Sequence, residues 1–382
     1  MGTAAHLGKS SIAVVVTTIG RGDFLADYFT GASAEHVLDR TRFIVIPDRK
    51  SPPELFDRCA EFTTRGMHII CPTLNEQDAY LAKLNLSGFI PYDSDNRRNI
   101  GYLMALEGGS ETIISIDDDN YCRRGESFFA DHSVVSAGPI TAPCVNSSDG
   151  WFTICQLMDV QPRMVYPRGF PYARRHATPE ITQKAETGRV KLNAGLWLGE
   201  PDLDAMTWLV SPVRSTRMNT DSILLGDNAW TPINTQNTAL HRDLIVSYYF
   251  AKMGYPLGNL GAIDRYGDIL SGYLCQATVR HMGDRIRVGT PLVDHRRNSH
   301  NYLRDATYEM GCVWLMEDLT AWLKDVKFSG SNYAQSYLSL AAALDEAAER
   351  FTGFIWNEAA RGYIHSLAYC MRTWTAACSR WL

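Results

Sequence analysis

The densest apolar patterning lies in the first third of the chain. Ile12–Val16, Arg42–Ile46 and Thr112–Ile116 are short β-branched runs without polar alternation, each bounded by turn residues, and read as buried strands. Met67–Cys71 is a further candidate strand. After Asn96-Arg97-Arg98-Asn99, apolar residues Ile100, Leu103, Met104 and Ala105 recur at helical spacing, which predicts an amphipathic helix to about Glu107. Strand, loop and helix thus alternate from residue 12 to 120, the pattern of a parallel α/β sheet. From about Ser133 the pattern turns irregular and rich in Pro, Gly and aromatics, as in a loop-built pocket rather than regular layers. Helices are predicted over Asp243–Met253 and Ile269–His281. Beyond Asn301 helical spacing dominates, with Tyr337, Leu340, Ala341, Leu344, Ala348 and Phe351 on one face. The chain therefore divides into an α/β domain over residues 1–300 and a helical extension over 301–382. The extension is expected to pack on the main domain, and its apolar face also permits a homo-oligomer contact.

Composition narrows the class. A chain of 382 residues buries a sizeable core. Its net charge of −5 argues against a general nucleic-acid binder but allows an anionic substrate met by local positive charge or a metal. Nine cysteines without a CxxC pair suit free thiols in a reducing compartment better than a disulfide framework or zinc site. Met1–Ser11 is short and polar, unlike a signal peptide, and no run approaches the roughly 20 apolar residues of a membrane span. A cytoplasmic protein is expected.

The chemistry concentrates in Glu111–Asn120, where an apolar strand runs into Asp117, Asp118 and Asp119. Open α/β sheets bind ligands at that strand end. Three adjacent anions repel, so a hard divalent cation, Mn²⁺ or Mg²⁺, is implied. Strand alternation would put Asp117 and Asp119 on one side and Asp118 on the other, giving an Asp-x-Asp pair for a metal and a ligand hydroxyl. A polar turn capping the strand is the plainer alternative. Thr17 and Thr18 open a hydroxyl- and Gly-rich loop after the first strand, where the backbone can approach a nucleotide. The spacing is not G-x-G-x-x-G, so no dinucleotide is implied. Asp48 ends the second strand on the same edge and could accept a base or ribose hydrogen bond. Arg97 and Arg98 at a helix start make a candidate anion site. Late in the chain, Asp264–Asp268 precedes a helix, and an apolar run ends in His295, Arg296 and Arg297.

Together, the segments Arg97–Asn120, Arg168–Arg175, Asn193–Ala205, Thr231–Ile245, Asp264–Asp268 and Val293–Asn301 resemble, in order, the reversibly glycosylated polypeptides, which are UDP-arabinopyranose mutases. They also resemble the related STELLO-type glycosyltransferases. The resemblance covers about residues 12 to 310 and leaves the tail helices without counterpart. It implies a GT-A-like, Rossmann-like fold with a mostly parallel sheet, binding a UDP-sugar donor. Asp117 and Asp119 would hold metal and ribose, and Asp118 would face the sugar. Asp48 would lie near the base and Arg98 beside the nucleotide. His295 would complete the metal site, with Arg297 supplementing its charge. Asp268 would lie near an acceptor as general base. Trp197 and Asn237 would line the sugar pocket. Arg175 matches the arginine glycosylated in the mutases, with Arg174 as its neighbour; a protonated arginine is a poor nucleophile, so Arg175 more readily positions phosphates. The chain has Gly267-Asp268 where the mutases carry two acids, and His176 where they carry an acid after the arginine. These departures favour a metal-dependent glycosyltransferase with an unidentified acceptor over a mutase, and both over a non-catalytic nucleotide-sugar-binding partner.

Overall fold

The computed structural model describes residues 11–382 except 163, 259, 260 and 299, so the polar segment before Ser11 lies outside the described residues. The first part runs β1 (Ile12–Thr18), α1 (Leu25–Ala34), β2 (Thr41–Pro47), α2 (Glu54–Thr64), β3 (His68–Ile70), α3 (Leu74–Lys83), α4 (Arg98–Glu107) and β4 (Thr112–Asp117). There follow β5 (Asn120–Cys122), α5 (Phe128–His132), β6 (Ile140–Ser147), β7 (Met158–Gln161), β8 (Ile181–Gly188), β9 (Val190–Gly199), α6 (Ala205–Val210), β10 (Arg214–Met218), β11 (Ile223–Leu225) and β12 (Asn237–His241). The last part is β13 (Tyr255–Pro256), β14 (Ala262–Ile263), α7 (Gly267–His281), β15 (Arg285–His295), α8 (Tyr302–Asp325), α9 (Tyr333–Ala347) and α10 (Glu358–Cys378).

The main sheet has the order β3-β2-β1-β4-β12-β9-β15-β11-β6-β8. Of these ten strands only β12, β11 and β6 run against the rest, so the sheet is mostly parallel, with helices packed on it. β1 lies between β2 and β4 with Thr17 level with Asp117 and Thr18 level with Pro47, which brings the expected ligand loops to one edge. Helix α4 lies close on β1 because residue 101 is glycine: a Cβ there would sit 2.4 Å from Val15 Cγ1.

Two expectations are corrected. The stretch after Ser133 is not mainly loop: it supplies β6, β8 and the ten-residue central strand β9. Its period was hidden because β9 buries polar Asn193 alongside Leu192, Leu196 and Trp197. Asn193 Nδ2 donates to His132 Nδ1 (3.0 Å), His132 Nε2 meets Asn237 Oδ1 (2.9 Å), and Asn237 Nδ2 donates to the Leu196 and Pro291 carbonyls. The predicted helix over Asp243–Met253 is instead a 3₁₀ helix, Arg242–Ser247, followed by irregular backbone. That segment is apolar all round because it is enclosed, and its backbone is satisfied from outside: Trp374 donates to the Ile245 carbonyl, and Asn99 exchanges two bonds with Phe250.

The C-terminal helices share one hydrophobic core with the sheet. Asn301, Asn332 and Asn357 cap α8, α9 and α10, each side chain accepting from a first-turn N–H. The α9 stripe Tyr337, Leu340, Ala341 and Leu344 is fully buried against this core, so it offers no surface to a second copy. Among the described residues no helix is long and apolar enough to cross a membrane.

Burial pulls the His132 imidazole down to about 3, so it is folded in the neutral form. The unfolded chain takes up a proton near pH 6.5 that the folded chain refuses, and stability falls as pH drops below that point. Urea unfolding should show this residue costing about 2 kcal/mol between pH 7 and pH 5. His132→Gln should lose that part of the pH dependence; an unchanged slope would contradict the neutral assignment.

Candidate functional site

A cleft of about 650 Å³ opens where β1, β2 and β4 end. Thr17, Thr18 and Asp48 line it from the first two strands, and Asp117, Asp118 and Asp119 from the third. His295 and Arg297 follow β15, Asp268 starts α7, and Arg304, Asp305 and Tyr308 come from α8. The first of the C-terminal helices, α8, thus contributes directly to the cleft. Ten carboxylates face seven Lys and Arg side chains in its lining, an excess of negative charge that suits a cation beside an anionic ligand.

The three aspartates point to three different partners. Strand β4 stops at Asp117 and the next two residues form a turn, so strand alternation no longer governs them. Asp117 Oδ1 pairs with Arg98 Nη2 at 2.6 Å. Asp118 accepts from the Thr18 hydroxyl at 2.5 Å. Asp119 Oδ2 lies 3.5 Å from His295 Nε2, because β5 pairs antiparallel with β15 and sets His295 opposite Asn120. Burial raises the proton affinity of Asp117 and Asp118, opposed by Arg98 in the first case and by the Thr18 bond in the second. For Asp119 burial pushes the same way, but His295 outweighs it and holds the carboxyl below its usual range. His295 is raised in turn, Asp119 overcoming its burial.

Asp117 and Asp119 therefore do not form a joint ligand set, and among the described residues no three acid, His or Cys side chains gather as one. Asp119 with His295 still fits part of a divalent-ion site. The Glu200 carbonyl holds His295 Nδ1, which leaves Nε2 turned to the carboxylate. Such an outer contact fixes the tautomer of a ligating histidine. Mg²⁺ commonly takes one or two protein ligands with the rest from phosphates and water.

Arg98 departs from its expected role. Its Nη atoms donate to Ser115, Thr17, Asp117 and the Thr235 carbonyl, so it braces the cleft floor. Arg97 donates to Gln77 and stacks on Tyr92. Asp48 keeps its place on the cleft, its oxygens accepting the Arg49 and Ser94 amides. Arg297 lies over the Trp208 and Tyr302 rings, and its buried Nη1 has no partner among the described residues. Arg296 stacks on Tyr121. Trp197 and Asn237 are buried in the sheet at 1% and 0% exposure and do not reach the cleft. Arg175 is also off it, paired at 2.6 Å with fully buried Asp204.

Within the segment that holds Arg175, the arginine that reaches the cleft is Arg168, which the sequence does not single out. It pairs with Asp202 (2.9 Å) and with Asp268 (3.0 Å), both of which line the cleft. Residues 168, 202 and 268 are far apart in the chain and carry no spacing signal; Asp95, another cleft acid, has none either beside the Arg97-Arg98 pair.

The architecture defines an α/β protein with an acidic ligand cleft at the strand ends. The model for the family "Reversibly glycosylated polypeptide" matches residues 75–380, and the chain belongs to that family. The match includes α8–α10, so the tail helices do have family counterparts. UDP-arabinopyranose mutase 1 from Arabidopsis thaliana is 25% identical over 56% of this chain and 54% of its own length. A probable UDP-arabinopyranose mutase 1 from Solanum tuberosum is 30% identical over 40% of this chain and 38% of its own. The chain thus matches about half or less of these relatives' length. Among solved structures, glucosyl-3-phosphoglycerate synthase from Mycobacterium tuberculosis in complex with Mn²⁺, UDP-glucose and phosphoglyceric acid is 13% identical, with TM-score 0.40 over 83% of this chain and 84% of that one.

Arg98→Met should leave Asp117 facing the floor without its cation. Asp117 keeps 38% exposure, so the loss in urea unfolding at pH 7 should be about 2 kcal/mol rather than the 3–5 of a fully buried pair. Adding Asp117→Asn should recover part of it; no recovery would mean that Arg98 acts by packing alone.

Proposed function

We propose that the chain binds a nucleoside-diphosphate sugar in the strand-end cleft, breaks the bond between sugar and diphosphate, and returns the sugar to the same diphosphate in a changed ring form. The observation that carries this reading is the meeting of Asp119 and His295 at the end of β4, in an acidic cleft that Arg297 also lines. Relatives named as UDP-arabinopyranose mutases support uridine as the base and arabinose as the sugar. Asp48, whose carboxylate accepts the Ser94 amide, would lie at the base and ribose end. The free donor of Arg297 suits a phosphate oxygen. Asp119 and His295 would hold Mn²⁺ or Mg²⁺, which supplies positive charge against the departing diphosphate. Asp118, fixed by Thr18, and the carboxylates of Asp202 and Asp268 suit the sugar hydroxyls.

Internal return is favoured over transfer because Asp268, the carboxylate expected as acceptor base, has both oxygens engaged by Arg168. A base must be able to take up the acceptor's proton. Transfer to an external acceptor is the second reading. Asp95 favours it: its side chain has no hydrogen-bond partner among the described residues, and burial raises its proton affinity.

Incubation with UDP-arabinopyranose and Mn²⁺, without acceptor, followed by chromatographic separation of the ring forms, tests this. A UDP-arabinofuranose peak is expected. Free UDP released only when an acceptor is added would select the transfer reading. Binding without any conversion would overturn both.

A further inference from the structure

The Arg168 guanidinium is saturated. Nε donates to Asp202, Nη2 to Asp202 and Asp268, and Nη1 to Asp268 and the Arg265 carbonyl, which uses all five of its N–H groups. It has no donor left for a phosphate. Its place in the cleft is to splay two carboxylates, Asp202 after β9 and Asp268 at the start of α7. Both lie on the side of β4 away from β2 and Asp48, the side left for the sugar when the base sits at Asp48.

One of the five bonds, and the one that reaches outside the two carboxylates, goes to the Arg265 carbonyl, which sits on an unusual backbone. Arg265 has φ +60°, a left-handed conformation that L-residues other than Asn and Asp rarely adopt. The Asp264 side chain accepts its amide (2.7 Å). Its side chain is clamped by helix α8: Nε donates to Glu309 Oε1 at 3.0 Å, and Nη1 lies 3.5 Å from Asp305. Glu309 is buried, does not line the cleft, and uses its other oxygen to accept the Ala205 amide at the start of α6 (2.8 Å).

We propose that Glu309 is a positioning residue: through Arg265 it holds Arg168, and so sets the Asp202–Asp268 pair that receives the sugar. The inference rests on the nucleotide-sugar reading above. A helix from the C-terminal region thereby governs sugar recognition without touching the ligand.

Calorimetric titration with UDP and with UDP-arabinopyranose, both with Mn²⁺, separates the claims. In Glu309→Gln, UDP affinity should stay within about twofold, while the preference for the sugar nucleotide and kcat each fall about tenfold, the effect of losing one charge-assisted hydrogen bond. Glu309→Asp, which keeps the charge but draws it back by a methylene, should show the same selective loss and covers the case in which the Gln variant does not fold. Arg265→Gly added to Glu309→Gln should restore much of the preference, since glycine adopts positive φ unaided and keeps the carbonyl. Equal loss of UDP and sugar-nucleotide binding, no selective loss, or no recovery in the double variant would overturn the proposal. A wild-type protein that binds neither ligand would instead overturn the nucleotide-sugar reading itself.

Discussion

Three carboxylates on consecutive residues at a buried strand end repel one another. At an effective dielectric of 20, two unit charges 4 Å apart cost about 4 kcal/mol. The chain meets this by giving each aspartate a different partner from a different part of the sequence: Arg98 from α4, Thr18 from β1 and His295 from β15. Much of the fold can be read as the means of delivering those partners. Glycine at position 101 brings α4 onto β1, and with it Arg98 under the floor. The β5–β15 pairing carries His295 across to Asp119.

A second charged assembly stands beside the first. Arg168 gathers Asp202 and Asp268, and α8 reaches in through Glu309 and Arg265. The two assemblies share one cleft but differ in chemistry. The first keeps an imidazole–carboxylate pair turned toward the ligand space, whereas in the second Arg168 spends all five of its N–H groups on protein acceptors. On the proposed reading, a charged, exchangeable ligand group would sit at the first, and neutral hydroxyls that need directed acceptors at the second. Helix α8 supplies cleft-lining residues, and the family match runs on through the tail helices to residue 380.

Much of this was legible before the structure. The β-branched runs gave β1, β2 and β4 because fully buried strands leave no polar alternation to misread. The Asp cluster, Asp48, Thr17, Thr18, His295 and Arg297 all reach the cleft, since residues at the ends of parallel strands share an edge, and Asp268 reaches it from the start of α7. What failed did so for physical reasons. Asn193 and Asn237 are polar yet buried, their hydrogen bonds closed on His132, so β9 looked irregular and Asn237 looked like a ligand contact. Arg175 and Arg168 are equally basic in sequence, and only tertiary pairing sends one to Asp204 and the other to the cleft. An arginine at an exposed helix start is an anion receptor, but Arg98 is 3% exposed and its Nη groups donate to the protein itself.

The most direct test is calorimetric titration of UDP into the wild-type chain and Asp119→Ala, each with and without Mn²⁺. The account predicts that wild-type binding strengthens markedly with Mn²⁺ and that Asp119→Ala loses that gain while keeping its fold. Binding that ignores both Mn²⁺ and the substitution would contradict the assignment of Asp119 and His295 to the diphosphate end of the cleft.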